Sequence, residues 1–126
     1  GLYMSTSLDI LLVDDDSALV KTLSMFLQYE GYNVMSTTDP LEAYKLATEN
    51  HFDLLIADYN MNDMNGIELA AKCRELHNDI STILITGYWD KLSEAGDIYD
   101  DFRAILPKPL DIDRLLDELN AVKSTH

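Results

Sequence analysis

Five residues of this chain have types and positions that combine into one piece of chemistry. Asp14 and Asp15 follow an apolar run at residues 8–13, and Asp58 follows another at 52–57. Thr86 closes a third run at 82–85, and Lys108 lies just past a short one at 104–106. Where those run ends meet, three carboxylates, a hydroxyl and an ammonium share one space. Two carboxylates about 5 Å apart repel by about 3 kcal/mol at an effective dielectric near 20. Such a cluster needs a cation, and hard oxygen ligands with open positions suit Mg²⁺. Lys108 offsets part of the charge, and an ammonium beside a hydroxyl is also what a tetrahedral anion requires. Metal, Lys and Thr around one Asp describe a carboxylate prepared to accept a phosphoryl group.

Taken singly, each residue has a plainer reading. Asp14 and Asp15 can simply follow a strand and open a helix, and Asp16 is assigned that role as an N-cap. Asp58 alone reads as a loop acid, Thr86 as a turn residue and Lys108 as a solvated charge. Their joint placement at four run ends carries the chemical reading, and no single member does.

The elements that must position them alternate along the chain. The runs at 8–13, 32–36, 52–57, 82–85 and 104–106 read as strands, nearly continuous in apolar character as a sheet covered on both faces requires. Between them, Leu19, Leu23, Phe26 and Leu27 recur at helical spacing, with Gly31 as a stop. Asp39-Pro40-Leu41-Glu42 reads as a helix start, with an N-cap, Pro at the first helical position and Glu three residues after the cap. Residues 59–66, rich in Asn, Asp and Met, read as a loop before a helix that presents Leu69, Cys73 and Leu76 on one face. The stretch 90–101 is weakly helical, because Gly96 and several acids interrupt it. The final helix buries Ile112, Leu115, Leu116, Leu119 and Val122. Five strands alternating with five helices predict an α/β fold, a flavodoxin-like doubly wound (βα)5 unit with parallel sheet order 2-1-3-4-5. Ligands of such sheets bind beyond the carboxyl ends of the strands, where strand order reverses between strands 1 and 3.

Composition sets the outer limits. A chain of 126 residues, 47% hydrophobic and 25% charged, has room for one core and the balance of a globular domain, taken here as residues 5–124. Gly1, Leu2 and Tyr3 precede Met4 and are set aside as an expression scar. The apolar runs are too short to span a bilayer, and no secretory signal pattern opens the chain, so a cytoplasmic location is expected. The formal net charge of −14 repels nucleic-acid phosphate and anionic lipid, which argues against direct DNA or membrane binding by this domain. Cys73 is the lone cysteine and reads as a buried, inert thiol. The three histidines are scattered, and no pair has metal-ligand spacing.

At the residues singled out above, the sequence resembles the response-regulator receiver family of two-component signalling, over nearly the whole chain. Ile10-Leu11-Leu12-Val13-Asp14-Asp15-Asp16 is similar to its acidic first-strand end, and Phe52-Asp53-Leu54-Leu55-Ile56-Ala57-Asp58 to its phosphoacceptor strand. Met61, Met64 and Gly66 fit the loop that follows; Thr86-Gly87 and Lys108-Pro109 fit the hydroxyl and lysine positions. The resemblance implies that Asp58 is phosphorylated by a histidine kinase, a histidine phosphotransfer protein or a small-molecule donor. It implies Mg²⁺ on Asp15, Asp58 and the backbone carbonyl of Asn60, with Asp14 contributing largely through water. Thr86 and Lys108 would hold the phosphoryl oxygens, and the Lys108–Pro109 bond would be cis. Side chains at Asn60 and Tyr88 would influence the phosphate's lifetime. Output would pass through helix 4, strand 5 and helix 5 to a partner or attached domain, with homodimerisation on phosphorylation left open. The implied catalysis is confined to the domain's own phosphoryl transfer and dephosphorylation, so it is not an enzyme in the usual sense.

Two positions depart from the family pattern. Asn62 stands where Pro usually follows the methionine, and Ile105 stands where a Tyr or Phe usually moves inward with Thr86. Ile has no ring to swing and no hydroxyl to re-pair. Tyr88 or Trp89 could substitute for the missing ring, but each is read first as a packing residue. Ile105 keeps open a second reading, a degenerate receiver acting as a constitutive protein-binding module. A third reading takes Asp14-Asp15-Asp16-Ser17-Ala18 as the Asp-x-Asp pattern of haloacid-dehalogenase-type phosphatases, but Ala18 breaks that pattern and Asp58 is left unexplained.

Overall fold

The apolar runs pair as one five-stranded sheet because the inner ones have two apolar faces to cover, while the edge run at 33–37 gives polar residues to water. The computed structural model describes residues 7–88 and 98–125. Its elements are β1 (Asp9–Val13), α1 (Ser17–Tyr29), β2 (Asn33–Thr37), α2 (Pro40–Glu49), β3 (Leu54–Asp58), α3 (Gly66–Leu76), β4 (Ser81–Thr86), α4 (Ile98–Asp101), β5 (Ala104–Pro107) and α5 (Ile112–Lys123). Trp89 and most of the stretch 90–101 lie outside the described residues. The strands are parallel throughout and run in the order β2-β1-β3-β4-β5, as the alternation of elements predicted.

Side-chain alternation along each strand divides the core in two. Leu11, Val13, Leu55, Ala57, Leu84 and Ile105 join one cluster with Ala43 and Ala47 of α2 and Leu69, Ala70 and Cys73 of α3. Ile10, Leu12, Leu54, Ile56, Ile83, Ile85 and Leu106 join the other, with Leu23 and Leu27 of α1 and Leu115, Leu119 and Val122 of α5. All of β3 is buried, whereas β2, at the sheet edge, is mostly exposed.

The helices begin where the sequence supplies caps. Asp16 Oδ1 accepts the N–H groups of Ala18 and Leu19 at 3.1 and 3.2 Å, and Asp39 Oδ1 accepts that of Leu41 at 2.9 Å with Pro40 at the first helical position. The reciprocal cap is found at α3, where Asn65 accepts from the Glu68 N–H and Glu68 reaches back to the Asn65 N–H. Gly31 takes a φ of 98° to turn the chain out of α1. Two expected core residues are exposed, Leu76 at 39% and Ile112 at 36%, and Leu116 is half-buried. Leu76 is the last residue of α3 and Ile112 the first of α5.

Candidate functional site

The order reversal makes β1 and β3 neighbours, and their register pairs Val13 with Ala57. The next residue on each strand line is therefore an acid, Asp14 beside Asp58. Carboxylate oxygens of Asp14, Asp15 and Asp58 lie within 4.8 Å of one another. Asp14 and Asp58 are buried and Asp15 is exposed, so the cluster opens to solvent on one side. Lys108, delivered from just past β5, places Nζ 2.8 Å from Asp14 Oδ2 and 3.4 Å from Asp58 Oδ1. Asp14 Oδ1 accepts the Asp16 N–H at 2.9 Å; apart from the ammonium, Oδ2 meets no donor among the described residues. Asp14 is thus held from both sides, and Asp58 from one.

The electrostatics follow from burial. Asp58 is pushed up from an ordinary 3.8 to about 6, first by desolvation and then by the Asp14 charge, against the opposing pull of Lys108. Desolvation also raises Asp14, although Lys108 and the Asp16 N–H work against it. Lys108 is itself partly desolvated, which lowers its pKa, but its bonds and attraction to Asp14 and Asp58 outweigh this and leave it raised. The site carries three acids against one ammonium, which is the arrangement a divalent cation relieves.

Thr86 is brought to the same edge but not onto the carboxylates. Asp58 pairs with Ile85, so Thr86 stands one residue further along, in register with Pro107. Alternation sends its side chain to the Leu84 side, and its Oγ1 accepts the Tyr88 N–H at 2.8 Å. Its carbonyl accepts the Lys108 N–H at 2.9 Å, which ties the hydroxyl position to the lysine position through the backbone. The Lys108–Pro109 bond is cis, as the resemblance implied.

Asn60 lies two residues past Asp58, exposed in the loop to α3. That loop is anchored at both ends: the Tyr59 N–H donates to the Ile85 carbonyl at 2.9 Å, and the Gly66 N–H to the Tyr59 carbonyl at 3.0 Å. Between them Asp63 adopts a φ of 69°, and the Met64 N–H closes on the Asn62 carbonyl at 2.7 Å, while Met61 and Met64 insert into the α2–α3 core. Gly66 has a role the sequence reading did not find. A Cβ there would collide with the backbone carbonyl of Asp58 and stand 2.7 Å from Leu84 Cδ1. The start of α3 packs directly against the Asp58 peptide, and only glycine allows it. The reading also missed a second cluster, Asp9, His51 and Asp53, whose ligand atoms lie within 4.8 Å of one another at the other end of the sheet.

The family model described as "Response regulator receiver domain" matches residues 10–120. Transcriptional regulatory protein GlrR of Escherichia coli (strain K12) is 30% identical over 106 residues, covering 84% of this chain and 24% of that protein. SrrA of Staphylococcus aureus (strain NCTC 8325 / PS 47) is 35% identical over 78 residues, covering 62% of this chain and 32% of that protein. The chain therefore spans about a quarter to a third of the length of these curated relatives. Among solved structures, a CheY-like receiver domain protein from Methanospirillum hungatei JF-1 superposes with a TM-score of 0.86 at 27% identity, covering 94% of this chain and 95% of that one. A response regulator from Burkholderia pseudomallei, with a phosphorylated aspartic acid, calcium ion and citrate, gives a TM-score of 0.80 at 27% identity over 94% of this chain and 70% of that one. Neither the phosphatase reading nor the degenerate-module reading finds support in these matches. With five parallel strands in the order 2-1-3-4-5 and an acidic pocket at their carboxyl edge, the chain belongs to the response-regulator receiver domain family, signalling domains and not conventional enzymes.

Proposed function

We propose that this domain accepts a phosphoryl group on Asp58 in a Mg²⁺-dependent reaction and signals by changing conformation. The observation that carries this is the convergence of the Asp14, Asp15 and Asp58 oxygens within 4.8 Å, with the Lys108 ammonium on Asp14 and Asp58. The phosphorylated aspartate and calcium ion of the Burkholderia protein support it from a relative of the same fold.

Asp15, Asp58 and the Asn60 carbonyl would hold the ion, with Asp14 oriented behind them by Lys108 and the Asp16 N–H. The ion's contribution is to neutralise charge on the acids and on the incoming phosphoryl oxygens. Asp58 acts as the nucleophile: a carboxylate oxygen forms the new O–P bond as the donor's N–P or O–P bond breaks and the leaving group departs with its electron pair. The ionised carboxylate supplies the lone pair this step needs, and a cation at the site would favour that form against the desolvation that raises Asp58. Lys108 Nζ, 3.4 Å from Asp58 Oδ1, is within reach of an oxygen on a phosphoryl group bound there. Thr86 Oγ1 accepts from Tyr88, which leaves its own O–H to donate once the β4 end turns toward the phosphate. Because Thr86 and Lys108 share a backbone hydrogen bond, that turn would be felt in β5, and the readout is assigned to α4, β5 and α5. Ile105, 3% exposed between β4 and the α2–α3 core, packs as an aliphatic and makes no aromatic swing.

The donor would be a histidine kinase, a histidine phosphotransfer protein or a small acyl phosphate, and the domain catalyses only its own phosphorylation and dephosphorylation. We assign one domain to residues 5–124, with output through an attached domain or a partner, and homodimerisation of the phosphorylated form through the same surface. Direct nucleic-acid binding is set against by the net charge of −14. No described helix is long and apolar enough to cross a membrane, and the cytoplasm, where such donors are made, is the proposed location. The test is intact-protein mass after incubation with acetyl phosphate and Mg²⁺, beside Asp58→Asn. One added phosphoryl group, absent from the variant and without Mg²⁺, is the expected result. No gain, with no NMR response to beryllofluoride, overturns the proposal.

A further inference from the structure

We propose that Asp9, His51 and Asp53 form a second divalent-metal site, of a kind suited to Zn²⁺, at the end of the sheet opposite Asp58. The two sites use the same pair of strands. Asp9 stands five positions before Asp14 on the β1 line, and Asp53 five before Asp58 on the β3 line. At about 3.3 Å per residue this separates them by about 16 Å, too far for one ion to serve both.

The ligand atoms of the three residues lie within 4.8 Å of one another. His51 Nδ1 is 4.0 Å from Asp53 Oδ1, which is too long for a hydrogen bond. Two donors on one tetrahedral Zn²⁺, each about 2.0–2.1 Å from it, stand about 3.4 Å apart, so a small closure of the His51 side chain completes the pair. The carboxylates are already oriented. Asp53 Oδ2 accepts the Asp9 N–H at 2.9 Å, and Asp9 Oδ1 accepts from Asn33 Nδ2 at 3.1 Å. One oxygen of each acid is thus committed to the protein and the other remains for an ion, which is how outer groups fix metal ligands.

The backbone beneath is rigid as well: the Asp53 N–H donates to the Asp9 carbonyl at 2.8 Å, and the Ser81 N–H to the Asp53 carbonyl at 3.0 Å. A cleft of about 670 Å³, lined by Asp9, Asn33, Asn50 and His51 among others, gives water access to the remaining coordination positions. His77 stacks edge-on against His51 with ring centroids 5.6 Å apart and donates its Nε2–H to the Ala47 carbonyl at 2.8 Å, but it is not among the three residues whose ligand atoms converge. An imidazole among the ligands favours a borderline ion over Mg²⁺ or Ca²⁺, which separates this site from the all-oxygen pocket at Asp58. The inference stands whether or not Asp58 accepts phosphate.

The test is isothermal titration of Zn²⁺ into the full chain and into His51→Ala, His77→Ala and Asp58→Asn, with the His51 ring followed by NMR. His51 is 56% exposed and its removal leaves the sheet intact, so an unchanged circular-dichroism spectrum is expected of that variant. The expected result is a Zn²⁺ site distinct from the Asp58 pocket, retained in Asp58→Asn, whose affinity falls at least about tenfold in His51→Ala. Asp58→Asn and His77→Ala should keep that site within about twofold. Equal affinity in His51→Ala, or Zn²⁺ shifts that appear around Asp58 and leave the His51 ring unmoved, overturns the proposal.

Discussion

Replacing Asp58 by Asn should make the metal-free domain more stable, although it removes the residue on which the proposed chemistry depends. Burial and the Asp14 charge hold the Asp58 carboxyl at about 6 in the folded state against an ordinary 3.8. The folded chain therefore binds this proton more tightly than the unfolded chain does. Below pH 3.8 both states are protonated and the group costs nothing; between 3.8 and about 6 stability falls as pH rises; above that the full penalty is present. At 1.36 kcal/mol per pH unit the penalty is about 3 kcal/mol, and Asn, isosteric and uncharged, removes most of it. For a chain of this length that is a rise of about 10 °C in Tm. The assay is urea denaturation of wild type and Asp58→Asn in EDTA at pH 7.5 and pH 4. A gain of about 2–3 kcal/mol at pH 7.5 should shrink to within about 0.5 kcal/mol at pH 4. Adding Mg²⁺ at pH 7.5 should narrow the gap by stabilising the wild type alone. A neutral or destabilising substitution at pH 7.5, or a gain equal at both pH values, would refute burial of charge as the cause.

Other expectations follow from the same geometry. Lys108→Ala removes the cation that competes with a metal ion, so Mg²⁺ affinity should rise several-fold by titration while acetyl phosphate labelling of Asp58 slows by at least about tenfold. Gly66→Ala forces a methyl group against the Asp58 carbonyl and should cost about 2–3 kcal/mol in urea denaturation, with labelling impaired as well. Asp16→Ala leaves the first N–H groups of α1 uncapped and should cost about 1 kcal/mol without altering labelling by more than about twofold. The Cys73 thiol, fully buried and pushed up to about 11, should resist a thiol reagent at pH 8 until urea opens the fold, and prompt labelling in native buffer would contradict its burial.

Much of this architecture was legible because parallel strands covered on both faces leave an unmistakable residue pattern. The alternation of Ile10 and Leu12 against Leu11 and Val13 sorts onto two helical layers with no exceptions in β1. Asp14, Asp58 and Lys108 were visible because a charge at the end of an apolar run has no structural reason to recur three times. What stayed hidden depends on three-dimensional register. Thr86 accepts the N–H two residues on, a local turn its hydroxyl makes readily, but which side of β4 its side chain occupies follows from the strand's register and not from local sequence. Gly66 looked like a loop glycine because the carbonyl it faces lies in another element. His51 carried no spacing signal, since its neighbours Asp9 and Asp53 come together only through the β1–β3 pairing. Leu76 and Ile112 keep the helical period but stand at the helix ends, where they are exposed.

The stability penalty at Asp58 and the proposed function are two descriptions of one arrangement. Strand order puts β1 beside β3, and their register then forces Asp14 and Asp58 together where water is scarce. A single ammonium cannot neutralise both, and its position sets the division: nearer Asp14 at 2.8 Å, it leaves Asp58 the less satisfied partner at 3.4 Å. Asp58 is consequently the carboxylate with most to gain from a cation, and the one facing the anchored loop that carries Asn60. A better-paired Asp58, with two close donors of its own, would stabilise the resting fold and blunt the nucleophile, because a carboxylate held by strong donors has little electron density left to give. Under the proposed function, the unequal grip of Lys108 would distinguish acceptor from support between the two buried acids. Moving the ammonium toward Asp58 should strengthen the apo domain and slow its phosphorylation together.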